Sequence, residues 1–350
     1  MKSRTIISVI SFWILTLIHF LSVSCNTQAK NVDQSIKVQY IHNEGETQGT
    51  YYSATYLQPD GKDLKTIIEA KLHEFDLSLS TYDSTSIISR INRNDETVKT
   101  DLLFETMFAE AEKVSEKTDG AFDITVGPLV KAWGFAFGNK DHSKIPNVSK
   151  FIPLVGYKKI KIVNHKLVKE NPAILIDANA LAQGYSADII GKLLEDNGCK
   201  HYMIEIGGEI VCKGMNPKGA KWRIGIDKPV DDSTSTNSEL QAIVAITDIA
   251  ITTSGNYRKF YVKDGKKYAH TIDPKTGKPV QHNLLSATII APTCIAADAF
   301  ATSFMVMGVE KSMAVCKSIQ GMECYLIYVD GKGENQVVYT EGFKKYLAED

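Results

Sequence analysis

Hydrophobic and polar residues alternate through "IKVQYI" and "GTYYSATYL", the period-two pattern of half-buried strands; Leu64, Ile67, Ile68, Leu72, Phe75 and Leu79 then recur at helical spacing. The pattern predicts a hairpin followed by a helix. A second helix is expected from about Asp101 to Lys117 with Gly120 as its stop, and a third from Asn179 to Asn197 ending at Gly198. "HYMIEIGGEIVC" reads as strand, glycine turn, strand. Past a Ser/Thr/Asp-rich loop at Pro229 to Glu239, "LQAIVAIT", "YRKFYV" and "KKYAHTI" read as further strands, with Asp264-Gly265 as a hairpin turn. "CIAADAFATSFMVMG" is an apolar helix, and the C-terminal part repeats helix and strand. The expected fold class is α+β, or mixed α/β, with no internal repeat and no linker that splits the chain.

The first residues follow a different pattern. Lys2 and Arg4 precede an apolar run from Ile6 to Leu21, too short for a comfortable membrane span and followed by small residues up to Cys25, as in an export signal. "LSVSC" resembles a bacterial lipobox, with Leu21 one place further from Cys25 than is usual. The expected organisation is a signal peptide over 1–24, a lipidated Cys25 and polar tether over 25–34, and one catalytic domain over 35–350. The chain would then be anchored by lipid in the bacterial cell envelope, at the outer face of the cytoplasmic membrane or in the outer membrane.

Composition adds little beyond this. With 350 residues, 43% of them hydrophobic and 23% charged, the chain can bury one large core or two modest ones. A formal net charge of -1 gives no basic footprint, which argues against nucleic acid as a partner. Cys199, Cys212, Cys294, Cys316 and Cys324 form no CxxC pair and sit among apolar neighbours, so they read as core thiols.

Candidate chemistry begins with Asp298 and Thr302, one helical turn apart in that apolar run. A carboxylate there is costly unless it is paired or binds metal, and hard oxygen donors select a cation such as magnesium. Asp298 serving its own helix end and Thr302 bonding back to a carbonyl is the plainer alternative. In "NPAILIDANALAQGYSAD" an apolar strand is expected to end at Asp177 just before a helix, so that the carboxylate and unpaired helix N–H groups share a crevice; a simple helix cap would look the same. "EIGGEI" lacks the GxGxxG pattern of a dinucleotide fold. "TSGNYR" and "HTIDPKTGKPV" are turn-rich, and His270 stands out as a histidine in such a setting.

Taken together and in order, "QGTYYSATY", "LSTYDSTSIISRIN", "TDGAFDITVGPLVKAWGF", "IDANALAQGYSAD", "IEIGGEIVCKG", "ITTSGNYRKFY", "HTIDPKTGKPV" and "AADAFATSFMVMG" resemble the FAD:protein FMN transferases, the ApbE family. The resemblance implies a T-fold-like architecture and a magnesium-dependent enzyme. Such an enzyme cuts the pyrophosphate of FAD and moves FMN to a Thr or Ser hydroxyl of an exported acceptor flavoprotein, leaving AMP. It also implies roles for particular residues. The metal ligands would be the Ala180 carbonyl and the side chains of Asp298 and Thr302. The flavin nucleotide would meet Gln48, Tyr82, Ala121, Phe122, Asp123, Asp177, Gln183 and the backbone near Ile272. His270 would act as base toward the acceptor hydroxyl, with Asp273 next in line.

The chain departs from the family at two of these positions. Gln48 stands where Met is frequent, and Gln183 where Lys is frequent, which removes a positive charge that could face phosphate. Two other functions draw on the same residues: an FAD pyrophosphatase that uses water as nucleophile, and a flavin-binding lipoprotein without catalysis.

Overall fold

Gln48 and Gly49 both take positive φ, 51° and 71°, and this two-residue turn joins β1 (Tyr40–Thr47) to β2 (Thr50–Leu57). The computed structural model describes residues 39–136, 144–229, 239–256 and 260–348. These belong to a compact unit running from Val38 to Asp350. The signal, Cys25, the tether and the start of "IKVQYI" lie outside the described residues, as do 230–238 of the polar loop and 257–259 of "YRKFYV".

The expected helices form close to their predicted limits. After α1 (Lys65–Leu79) come the short α2 (Ile87–Asn92) and then α3 (Leu102–Lys117), whose N-cap Asp101 accepts the Phe104 N–H at 2.8 Å. A further short helix, α4 (Gly127–Ala132), and the hairpin of β3 (Ile160–Val163) with β4 (Lys166–Lys169) lead to α5 (Ala182–Asp196).

The strand expected before Asp177 does not form, and this run joins no sheet. Its backbone groups are satisfied otherwise: the Asn92 side chain takes both the N–H and the C=O of Ile176, at 2.7 and 2.8 Å, and the Asp177 N–H bonds the Ile124 carbonyl at 2.7 Å. The helix also starts later than Asn179, because Asp177 Oδ1 takes the Asn179 N–H at 2.9 Å and forms a turn there.

The rest of the chain completes a sheet. The paired strands β5 (Tyr202–Ile206) and β6 (Glu209–Lys213), and β7 (Trp222–Asp227) and β8 (Leu240–Ile246), are followed by β9 (Ile249–Gly255). Next come the hairpin of β10 (Phe260–Lys263) and β11 (Lys266–Ala269), then β12 (Leu284–Ala291), α6 (Cys294–Met307), α7 (Val309–Ser318), β13 (Glu323–Val329) and β14 (Asn335–Tyr339). One sheet of eight strands runs β1-β2-β5-β6-β9-β12-β13-β14, antiparallel throughout.

Alternation along β12 separates the two cores. Ala287 and Ile289 face a helical layer with Phe300 and Phe304, whereas Ile290 meets Trp222, Val244 and Phe343 on the other side. Burial of each such aromatic or branched side chain contributes about 1.5–3 kcal/mol. The five described cysteines are free and buried, as their apolar neighbours suggested. Among the described residues no helix is long and apolar enough to cross a membrane.

Candidate active site

The centre of the site is the crossing of α5 and α6. Gly184, third residue of α5, carries one of the first-turn N–H groups that no carbonyl of its own helix accepts, and donates it to Asp298 Oδ2 at 3.1 Å. The glycine is required by the close approach: a Cβ on Gly184 would lie 2.4 Å from the Cys294 carbonyl oxygen and 2.8 Å from Asp298 Cβ. A second carboxylate acts in the other direction. Asp188 of α5 accepts the N–H groups of Cys294 and Ile295, each at 2.9 Å, and so caps α6. Each helix end is thus met by an aspartate of the other.

Asp298 is almost fully buried, and burial, with the charge of Asp188, pushes its carboxyl up to about 7 against the opposing pull of the Gly184 N–H. Thr302 lies one turn further along α6, its Oγ1 at 3.3 Å from Ser254 Oγ. Ala180 falls in the turn leading into α5, one turn ahead of Gly184. Asp298 and Thr302 thus lie one turn apart on α6 beside the start of α5, and Ala180 lies in the turn that leads into α5.

β9 ties that corner to the histidine. Its Ser254 meets Thr302, and Asn256 just beyond accepts the Thr271 hydroxyl at 2.6 Å. His270 precedes Thr271, with its ring edge-on to Phe135 at 6.4 Å. Behind it Tyr261, Tyr268 and Trp133 stack at 5.2 and 5.6 Å between ring centres. Ile272 bridges Pro279 in the same loop. Asp273 is committed to the turn: its oxygens take the Lys275 N–H at 2.9 Å and the Thr276 hydroxyl at 3.0 Å.

The remaining expected nucleotide residues fall into two groups. Tyr82, half exposed, feels the Asp177 charge, and the Asp177 carboxyl is itself pushed up by burial. Asp177 is bonded through its N–H to Ile124, beside Ala121, Phe122 and Asp123. Phe122 is core, and the Asp123 carboxylate is spent on Thr125 (2.8 and 2.6 Å) and the Tyr157 N–H (2.8 Å), so its side chain builds the loop. In the second group Gln183 covers the Gly207 turn, its amide 2.8 Å from where a Gly207 Cβ would be, and the Gly207 N–H bonds Tyr51 on the strand leaving Gln48. Both polar atoms of the Gln48 amide are buried without a partner.

Sequence reading did not single out Asp188, Glu209 or Ser254. Glu209 opens β6 and keeps a buried Oε2 that has no hydrogen-bond partner, and burial together with the Asp298 charge pushes its carboxyl well up. An orphaned carboxylate oxygen, an orphaned amide and the Asp298–Thr302 pair fit a hard cation and a polar nucleotide ligand. Among the described residues no group of three His, Cys, Asp or Glu forms a ready cage. A cation here would draw on a carbonyl, a hydroxyl and substrate oxygens as well.

A family model described as the ApbE family matches residues 48–326. The chain belongs to the ApbE family. An FAD:protein FMN transferase of Vibrio cholerae is 35% identical over 322 residues, covering 89% of this chain and 91% of its own. That of Escherichia coli K12 is 36% identical, with 82% and 84% covered. Among solved ApbE structures, the V. cholerae flavin transferase superposes with a TM-score of 0.77 at 34% identity, over 89% of this chain and 100% of its own. The Pseudomonas stutzeri flavinyl transferase, in its apo form, gives 0.78 at 30%, over 89% and 98%. The mixed architecture of helices over antiparallel strands is therefore the ApbE fold.

Proposed function

We propose that this chain is a magnesium-dependent FAD:protein FMN transferase that moves FMN from FAD to a Thr or Ser hydroxyl of an exported acceptor flavoprotein and releases AMP. The observation that carries the reading is the Asp298–Gly184 contact, which seats a buried carboxylate at a helix N-terminus one turn from Thr302. Both ends of that arrangement suit a pyrophosphate: N–H groups favour its charge, and acidic and hydroxyl oxygens favour a bridging cation.

The Ala180 carbonyl, Asp298 carboxylate and Thr302 hydroxyl would hold magnesium, which when bound neutralises charge on the phosphate oxygens. To do so Asp298 must give up the proton that burial favours. Tyr82, Asp177 and the loop of Ala121 to Asp123 would border one part of the nucleotide, and Gln48, Gln183 and the Ile272 backbone another. Because Gln183 brings no charge, helix-end N–H groups carry more of the phosphate contact here. The acceptor hydroxyl must approach the FMN-side phosphorus in line. His270, fixed through Thr271 and Asn256, takes the hydroxyl proton on a ring nitrogen as the new P–O bond forms and the AMP oxygen departs.

A lipid on Cys25 would hold the domain at the envelope surface, where an exported acceptor is met. Incubation with FAD, magnesium and a Thr-containing acceptor peptide tests the activity. Flavin on the peptide supports it; free FMN with unmodified peptide means a pyrophosphatase, and unchanged FAD a flavin-binding protein.

A further inference from the structure

We propose that Glu209 completes the cation site at Asp298 as its second carboxylate. The inference rests on the magnesium reading above and adds a residue to it. Glu209 lies at the start of β6, where pairing of Ile210 with Ile251 sets β6 beside β9. There the carbonyl of Ile210, next to Glu209, accepts the Cys294 thiol at 3.6 Å, which sets the start of β6 against the first turn of α6, one turn from Asp298. Ser254 of β9 reaches Thr302, so the strand that pairs with β6 also carries a contact to a metal-site hydroxyl.

One carboxylate oxygen decides the matter. Glu209 Oε2 is buried with no hydrogen-bond partner, although a carboxylate oxygen away from water is costly to leave alone. The charges acting most strongly on Glu209 are those of Asp298 and Glu205, both negative. Glu205 is itself occupied, accepting the Tyr51 hydroxyl at 3.1 Å. A purely structural carboxylate would be expected to meet a donor or a basic side chain; the charge that acts most strongly on this one is that of Asp298, also negative. A hard divalent cation between them supplies the missing partner for Oε2 and removes the repulsion. A proton shared by the pair is the competing account.

The test is metal binding by the full chain without FAD, using Mn2+ as a spectroscopic probe, with thermal unfolding alongside. Glu209→Gln keeps shape and removes charge. It should weaken Mn2+ affinity about 10–100-fold, the range for residues that tune a bound metal. It should also raise the melting temperature of the metal-free protein while shrinking the upward shift that Mg2+ produces. If Glu209→Gln folds poorly, Glu209→Asp, which keeps the charge and shortens the reach, should still show weakened Mn2+ binding. Wild-type Mn2+ affinity in the Glu209 variants beside lost affinity in Asp298→Asn would overturn the role of Glu209 and leave the magnesium reading intact. No Mn2+ binding by the wild-type chain would overturn both.

Discussion

Gly184 donates its backbone N–H to Asp298 Oδ2 at 3.1 Å, and the same residue lacks the side chain that would hold the two helices apart. A Cβ there meets backbone, the Cys294 carbonyl, which cannot rotate away. Gly184→Ala should therefore destabilise by about 1–3 kcal/mol, the usual cost of overpacking, although alanine is the better helix former. Urea unfolding measures the loss, and transfer should fall further than stability because Asp298 is displaced with α6. Wild-type stability and rate in this variant would contradict the close crossing.

Asp188 makes the site pH-sensitive in a defined direction. Burial pushes its carboxyl up to about 6, against the Cys294 and Ile295 amides that favour its charge. The unfolded carboxyl titrates near about 3.9. Between these values the native chain keeps a proton that the unfolded chain has lost, so this group's contribution to stability falls as pH rises through the window. Asp188→Asn has no such titration. The unfolding free energy of the metal-free wild type relative to Asp188→Asn should decline from about pH 4 to about pH 6 and then level. A constant difference would show that Asp188 titrates normally.

Asp298 could be read in the sequence because a carboxylate breaks an otherwise apolar helical run, and the glycines of "EIGGEI" marked a turn that the structure contains. Asp188 could not, since an acid in "YSADII" looks like an ordinary helix-surface charge until α6 is placed against it. Glu209 is hidden for a related reason: nothing in "EIGGEI" shows that the strand it opens will lie beside β9 and leave one of its oxygens buried without a partner. The start of α5 falls a few residues later than the pattern predicts because Asp177 diverts the Asn179 N–H. The apolar run before it matches a strand pattern because period alone does not reveal whether a neighbouring strand exists. What sequence pattern missed were contacts between elements distant in the chain.

His270 should matter to turnover and not to FAD binding. His270→Gln should lower transfer about 10²–10⁴-fold, the range for general acid–base catalysis, with FAD affinity by fluorescence quenching little changed. A variant that binds FAD weakly yet turns over normally at saturation would make His270 a nucleotide contact instead. Asp273 is then a poor substitute as base, given its role in the turn.

Cys25→Ser should release the protein from membranes into the soluble fraction on fractionation, as loss of a multi-chain anchor does. Retention of a chain lacking its first residues through the tether would show that another surface holds it.

In the proposed reaction, cleavage of FAD is coupled to modification of an acceptor. The most direct test of this coupling is to count products in one reaction with FAD, magnesium and a Thr-containing acceptor: AMP by chromatography and flavin on the acceptor by mass spectrometry. One AMP should appear for each acceptor modified, and both should vanish together in Asp298→Asn or when the metal is chelated. AMP accumulating with free FMN while the acceptor stays unmodified would contradict the account and make the chain a hydrolase.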